Sequence, residues 1–474
     1  MIVLYTVAAL IALIWGTAYL MRGSLLAGCL AVLGVAAVFG YEFLRFELGP
    51  VPLTLDRILL PALVAAYLVQ RWLGRVRPAP LASADVILLA FLGLLAVSGC
   101  VAGWGIHKTG MGGDAEPLMR LLLGYLIPFS LYWIARGARA DESQLTMVHA
   151  ALACLGIYLG VTGLLEISHQ WWAVFPRYIA DPEAGIHFGR ARGPMVQAVR
   201  YGLWLGICLL AAWAWRPRLK RPGQLVLIAL TPVMLAALYF SYTRSVWLGA
   251  AAAIAIVLGS TLRGAWRPLV LGGIAAAGLL VAVLGANDLV GFEREQSAEA
   301  TRHSVGLRGS FAYISWQMFL DRPLLGFGFG QFPEAKLPYL ADRSTGLDLE
   351  STRELVHHNH FLSVLTETGV VGFALFLAVL ACWARTAWKI ARRPDAPPAA
   401  KAQAVLLLGA TAIWAAQMAF HEMSYSVIDN SLIFFLAGVT MGLRTQPEPA
   451  GATAARPAAA PLAAPVIGRA RPAV

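Results

Sequence analysis

The chain has 474 residues, of which 59% are hydrophobic and only 13% charged. An ordinary soluble domain carries about a quarter charged residues, so this composition excludes a soluble globular enzyme. The formal net charge of +11 invites a nucleic-acid reading, but the basic residues are spread through short loops rather than gathered into one patch.

Apolar runs long enough to cross a hydrocarbon core of about 30 Å recur along the whole length. They predict thirteen helices, near 2–21, 24–41, 51–70, 86–103, 118–135, 146–166, 194–215, 224–242, 245–261, 268–285, 359–383, 403–422 and 429–443. The first run has no basic n-region and no cleavage site, so it reads as a retained helix rather than a signal peptide. The expected organisation is ten N-terminal helices over 1–285, a large polar loop over 286–357, and three helices over 358–444. An Ala- and Pro-rich tail over 445–474 reads as disordered. The fold class is an all-α polytopic membrane protein. The five cysteines fall inside apolar runs, where they read as packing residues rather than disulfide or metal ligands.

Orientation follows from alternate loops. Arg22, Arg71, Arg75, Arg77, Arg136 and Arg139 lead a set of 17 basic residues that alternates with a set of nine. The positive-inside rule puts the richer set and the C-terminal tail in the cytoplasm, and the N-terminus and the long loop outside. The basic surplus is therefore a topology signal, and no nucleic-acid partner is expected.

Under this topology four features share the outer face. Gly189-Arg190-Ala191-Arg192-Gly193-Pro194 precedes a helix, and Ser241-Tyr242-Thr243-Arg244-Ser245 joins two helices with almost no linker. The long loop carries Leu307-Arg308-Gly309-Ser310, Trp316 and Asp321-Arg322-Pro323-Leu324-Leu325-Gly326-Phe327-Gly328-Phe329-Gly330. It ends at His357-His358-Asn359-His360. Arginines beside an imidazole suit an anionic ligand held next to a base: the guanidinium fork matches phosphate oxygens, and imidazole titrates near pH ~6.5. Each also has a bland reading, Arg192 as a membrane-interface flank and Arg308 as a solvated loop charge. The glycine-aromatic run lacks the strand and helix of a nucleotide loop and reads as a turn packing the loop onto the bilayer surface. The histidine spacing does not provide the i, i+4 pair of a zinc helix, so no metal and no cofactor are expected. Asn359 is placed to cap the following helix, and Glu367 reads as a structural partner within the bundle. Asp56-Arg57, His421-Glu422 and Asp429 lie at outer helix ends, where they either line the same cavity or form local pairs.

The ordered set of Arg-Gly before a helix, Thr-Arg-Ser turn, Arg…Trp…Arg-Pro-Leu-Leu-Gly-Phe-Gly, His-Asn-x-x-Leu and Glu-x-Gly-x-x-Gly resembles the O-antigen ligase and O-antigen polymerase superfamily. The likeness covers roughly residues 190–443. It implies a GT-C-like, metal-independent, inverting membrane glycosyltransferase of the bacterial inner membrane. Its donor would be an undecaprenyl-pyrophosphate-linked glycan met on the periplasmic side, and its acceptor a hydroxyl on lipid, glycan or protein. A chain-length regulator is a further implied partner. The resemblance maps the family's essential histidine onto His358 and its essential arginines onto Arg244 and Arg308, as catalytic residues, with Arg192 a weaker match; Arg192, Asn359, His357 and Arg322 are the expected substrate-binding residues. The doubled histidine at 357–358 departs from the usual pattern. The competing classes are a lipid-linked glycan flippase and a protein O-oligosaccharyltransferase. Paired carboxylates for a glycosidase mechanism are not evident.

Overall fold

The computed structural model describes residues 16–46, 53–77, 79–105, 116–262 and 298–444. Most of the first predicted helix, the helix at 268–285, the start of the long loop and the tail from 445 lie outside the described residues. The other predicted helices are all present. They are α1 (Leu25–Phe43), α2 (Leu55–Trp72), α3 (Ser83–Ala102), α4 (Pro117–Ala138, with a π-turn at Leu122–Leu126), α5 (Glu142–Ile167), α6 (Ala198–Trp215), α7 (Arg221–Tyr239) and α8 (Arg244–Thr261). The long loop contains α9 (Ala298–Asp321), and the chain continues through α10 (His360–Arg392), α11 (Pro398–Met418) and α12 (Val427–Arg444). A two-residue antiparallel ribbon, Arg45–Phe46 with Leu53–Thr54, is the sole strand pairing among the described residues. Eight described helices are long and apolar enough to span a bilayer, so the protein is an all-α polytopic membrane protein.

Local chemistry sets the helix ends. Asp141 and Gln144 form a reciprocal capping box at α5. Asn359 Oδ1 accepts from the Leu362 amide at 3.0 Å and caps α10, as its sequence position suggests. α10 is interrupted at Gly369, whose φ of +63° breaks the helical run. The π-turn in α4 adds a local irregularity beside Arg120.

The core is built from α4, α6, α10, α11 and α12, whose inner faces supply Tyr132, Trp204, Trp383, Trp414 and Phe435. No hydrophobic force drives one apolar helix onto another inside lipid, so small residues that admit close backbone approach matter most. Gly438 and Gly442, one turn apart on α12, lie where an added Cβ would come within 2.3 Å of the Tyr132 carbonyl oxygen and 2.8 Å of the Arg136 carbonyl oxygen on α4. Cys29 and Cys208 pack in this interior, whereas Cys100 and Cys154 are exposed on helix surfaces.

The two ends of the bundle differ. At one end Asp85 pairs with Arg136 at 2.7 Å and takes a hydrogen bond from Tyr132 at 2.5 Å. At the other end the long loop and the 168–197 segment are tied down. Phe329 N donates to Ser98 Oγ on α3, and Gln331 Nε2 donates to the Gly103 carbonyl. Asn359 Nδ2 donates to the Ala419 carbonyl, and Ala191 N donates to the Phe240 carbonyl beside the Thr-Arg-Ser turn. The four features expected to share a face do share an end.

Candidate active site

The long loop folds around its own small core of Phe311, Ile314, Met318, Phe332, Leu340 and Leu349. Lys336 is the polar centre of that core. Its ammonium donates to the Thr352 and Leu355 carbonyls and lies 5.3 Å from the Phe332 ring centre. Burial pushes it down to about 8. This fixes the segment that delivers the histidines to the start of α10.

The two neighbouring histidines occupy different environments. His357 is buried, with its ring 3.9 Å from that of Phe332 and its Nε2 3.2 Å from Ser315 Oγ. Burial pushes it down to about 3, so it is neutral at any ordinary pH. His358 is half-buried and stacks on Phe311 at 5.1 Å, a ring that also stacks with His357 at 5.8 Å. His358 Nδ1 lies 2.9 Å from the Val356 carbonyl oxygen. A carbonyl can only accept, so Nδ1 carries the proton. The tautomer so fixed has Nε2 as its lone-pair nitrogen.

Arg308, on the exposed side of α9, lies over the Phe420 ring at 5.5 Å. The next residue, His421, sits between α11 and α12, and its Nε2 is 3.5 Å from Ser245 Oγ. Burial, then the nearby charges of Arg308, His358 and His187, hold His421 down to about 4. Ser245 also donates to Gln417 Oε1 at 2.9 Å and directly follows Arg244, the exposed first residue of α8. Arg308, His358 and His421 therefore converge, with Arg244 at the adjoining turn.

Three further sequence-derived site residues have their polar groups committed to the protein itself. Arg192 is fully buried. It pairs with Glu166 at 3.3 Å, and its guanidinium donates to the carbonyls of Ala184 at 2.5 Å, Ile179 at 3.1 Å and Asp181 at 2.7 Å. The amides of Arg192 and Gly193 both donate to Glu166 Oε2 at 2.9 Å. Neither the interface-flank reading nor a direct substrate contact fits this geometry; Arg192 ties the 168–197 segment to α5. His357 is likewise a packing group of the loop core, and Asn359 uses Oδ1 for the cap and Nδ2 for Ala419. Arg322 is exposed but lies at the far end of α9, about 21 Å from Arg308 by the helical rise, where it stacks over Phe327 at 4.7 Å. The structure thus engages the polar groups of Arg192, His357 and Asn359 within the protein and sets Arg322 apart from Arg308.

Sequence reasoning passed over Arg120, Arg200 and Phe420, and left His421 undecided. Arg120, buried in α4, donates to both Glu367 carboxylate oxygens at 2.7 Å, to Ser363 at 2.8 Å and to Ser424 at 2.5 Å. Glu422 lies 3.6 Å from it and accepts from His360 Nδ1 at 2.7 Å. Glu367 is thus a structural partner, as the sequence suggested. Arg200 pairs with Asp429 at 3.5 Å, and Trp204 Nε1 donates to the same carboxylate at 2.9 Å. The available signal was charge inside apolar runs, which in a bilayer must be paired. Among the described residues no group of three or more His, Cys, Asp or Glu is arranged to hold a metal ion.

A helical bundle with basic and imidazole groups converging at one end defines a polytopic membrane protein with a polar site at that end of the bundle. Residues 229–377 match the family model described as O-antigen ligase, which supports the O-antigen ligase and polymerase superfamily. The matched segment contains Arg244, Arg308 and both loop histidines, and it indicates glycan transfer in general. No curated protein matches the chain.

Proposed function

We propose that this protein transfers a glycan from an undecaprenyl-pyrophosphate carrier to an acceptor hydroxyl at the periplasmic face of the bacterial inner membrane, as a ligase or polymerase of an exported polysaccharide. The observation that carries the reading is the convergence of His358, with its Nε2 lone pair set by the Val356 carbonyl, and Arg308 at the mouth between α9, α10 and α11.

His358 Nε2 takes the proton of the acceptor hydroxyl as its oxygen attacks the anomeric carbon from the face opposite the leaving group. The product has the inverted configuration, and the carbon–oxygen bond to the carrier pyrophosphate breaks. Negative charge grows on that pyrophosphate, and Arg308 and Arg244 supply fixed positive charge where it develops, at a site bordering lipid where such charge is strongly felt. No step requires a metal. His421 is held neutral at working pH by burial and by Arg308, so it offers a hydrogen bond to the acceptor without competing for the phosphates. The polyprenyl chain lies between helices while the sugar sits under the loop.

The test is complementation in a strain lacking the protein, with His358→Ala, Arg308→Ala and Arg244→Ala assayed separately and membrane levels checked. Loss of the base costs on the order of 10²–10⁴ in rate. Surface glycan then falls to near zero while carrier-linked glycan accumulates in the periplasm. Accumulation on the cytoplasmic side instead would identify a flippase and overturn the assignment of a base.

A further inference from the structure

The long loop is tied to α10 far from that helix's start. Val370 N donates to the Pro323 carbonyl at 2.8 Å, and Val371 N donates to the Leu324 carbonyl at 3.3 Å. In return Phe327 N donates to the Thr366 carbonyl at 3.0 Å and Gly328 N donates to the Glu367 carbonyl at 2.9 Å. The break at Gly369 leaves these α10 groups without helical partners, and the 323–328 segment takes them up. The fit is close. A Cβ on Gly369 would lie 2.3 Å from Leu324 backbone, and one on Gly326 would lie 2.5 Å from Glu367 backbone.

The depth of this junction follows from α10 itself. Beyond the break, α10 runs on from Val370 to Arg392, about 35 Å by the helical rise, against a hydrocarbon thickness of about 30 Å. Its far end carries Arg385, Lys389 and Arg392. Arg385 lies 15 residues beyond Val370 on that unbroken stretch, about 22 Å, so with Arg385 at the far edge of the hydrocarbon Val370 and Val371 lie ~8 Å inside the near edge. α3 gives a second marker: Phe329 N is bonded to Ser98, one turn inside that helix's outer end. Irregular backbone is tolerated at such depth only where its amides and carbonyls are satisfied by protein, which is what the four bonds provide.

The surface here is largely apolar, interrupted by exposed Asp321, which accepts from Tyr339, and by Arg322, which stacks over Phe327. Trp316 and Leu320, one turn apart on α9, are about half exposed, and Leu324 and Leu325 are 67% and 62% exposed, beside exposed Val370 and Val371. The opposite face of α9, with Phe311, Ile314 and Met318, fills the loop core, so α9 is apolar on two sides. A loop lying wholly in water gains nothing from the second one.

We propose that the 316–325 face is a membrane-inserted wedge: Leu320, Leu324 and Leu325 contact acyl chains of the leaflet on the site's side, and Trp316 lies at the headgroup boundary. The wedge holds α9, and hence Arg308 about two to three turns away, at a fixed height over the bilayer. This proposal stands whether or not the catalytic reading does.

The test is the depth of Leu325 in lipid nanodiscs. Leu325→Cys and, as an aqueous control, Arg343→Cys would be made with the five native cysteines replaced by Ala, then spin-labelled and exposed to oxygen and to a water-soluble nickel chelate. Oxygen should relax the label at 325 several-fold more than nickel does, with the reverse at 343. Dominant nickel relaxation at 325 refutes the wedge. Low relaxation by both refutes it too, since protein rather than lipid would then cover the face. A second measurement uses the unaltered protein with a phospholipid carrying a diazirine in its acyl chain. Adducts within 316–325 support the wedge, and their absence while transmembrane peptides are labelled overturns it.

Discussion

Arg120→Met isolates the buried ionic cluster that underlies the histidine segment. In the native protein the guanidinium bridges α4, α10 and the α11–α12 turn, meeting Glu367 with two bonds at 2.7 Å while both side chains are almost wholly buried. Removing the cation leaves Glu367 with no opposite charge and leaves Glu422 with His360 alone. Breaking a buried pair from one side costs about 3–5 kcal/mol, chiefly for stranding the remaining charge. Glu367→Gln is milder, because the amide still accepts from Arg120 and Glu422 remains 3.6 Å away. Replacing a hydrogen bond to a charged group with a neutral one costs about 1–2 kcal/mol. The double variant Arg120→Met, Glu367→Met removes both charges and should be less destabilised than Arg120→Met alone, a coupling that a double-mutant cycle measures directly. The assay is reversible unfolding in mixed micelles, with each variant read from the same titration. A cost below about 1 kcal/mol for Arg120→Met, or strict additivity of the pair, would show that the cluster is solvated and that its burial carries no energetic weight.

Two further outcomes are expected. His357 is held down to about 3 by burial, so acid protonates the unfolded chain from about pH 6.5 while the folded loop stays neutral. Stability attributable to this group is intact above pH 6.5 and is lost as pH falls towards 3, at up to ~1.4 kcal/mol per pH unit. His357→Phe should flatten that part of the stability profile while leaving stability at pH 8 within about 1 kcal/mol; an unchanged acid slope would refute the burial argument. Arg192→Lys cannot reproduce contacts spread over Glu166 and three carbonyls with one ammonium, so the 168–197 segment should become cleavable by added protease in membranes where the native protein resists. Equal resistance would show that the segment is held by other contacts.

Much of the fold was legible because the bilayer imposes a strong length rule. Apolar runs of about twenty residues became helices whose ends agree with the sequence reading to within a few residues over most of the chain, and the helix beginning near 359 starts at His360 with Asn359 as its cap. What composition cannot reveal is a helix that breaks within the membrane. Gly369 follows the polar Thr366-Glu367-Thr368, but a lone glycine in a helical pattern is usually tolerated, and the partner of the break, Pro323–Gly328, lies more than forty residues earlier. For the same reason the glycine-aromatic run read as a turn on the bilayer surface; it is instead lodged between α3, α4 and α10, where Gly328 and Gly330 admit Ala102 and Pro117.

The site was legible in its residue types and less so in the division of labour. Arginine on the outer side of a membrane protein runs against the positive-inside trend, which singles out such residues without saying whether they meet a ligand or a buried carboxylate. Arg308 and Arg192 look alike in sequence, yet one lies on the exposed side of α9 and the other is enclosed by Glu166 and main-chain oxygens. The difference comes from Glu166, 26 residues before Arg192, which offers a partner only because α5 ends beside the loop. Adjacent histidines separate in the same way. Phe311 stacks with both rings, but Phe332 and Ser315 enclose His357 alone, while the Val356 carbonyl engages Nδ1 of the other ring. Residue type therefore narrows the proposed base to a pair, and it is the loop's own packing, centred on Phe311 and Lys336, that buries His357 and leaves His358 half-buried.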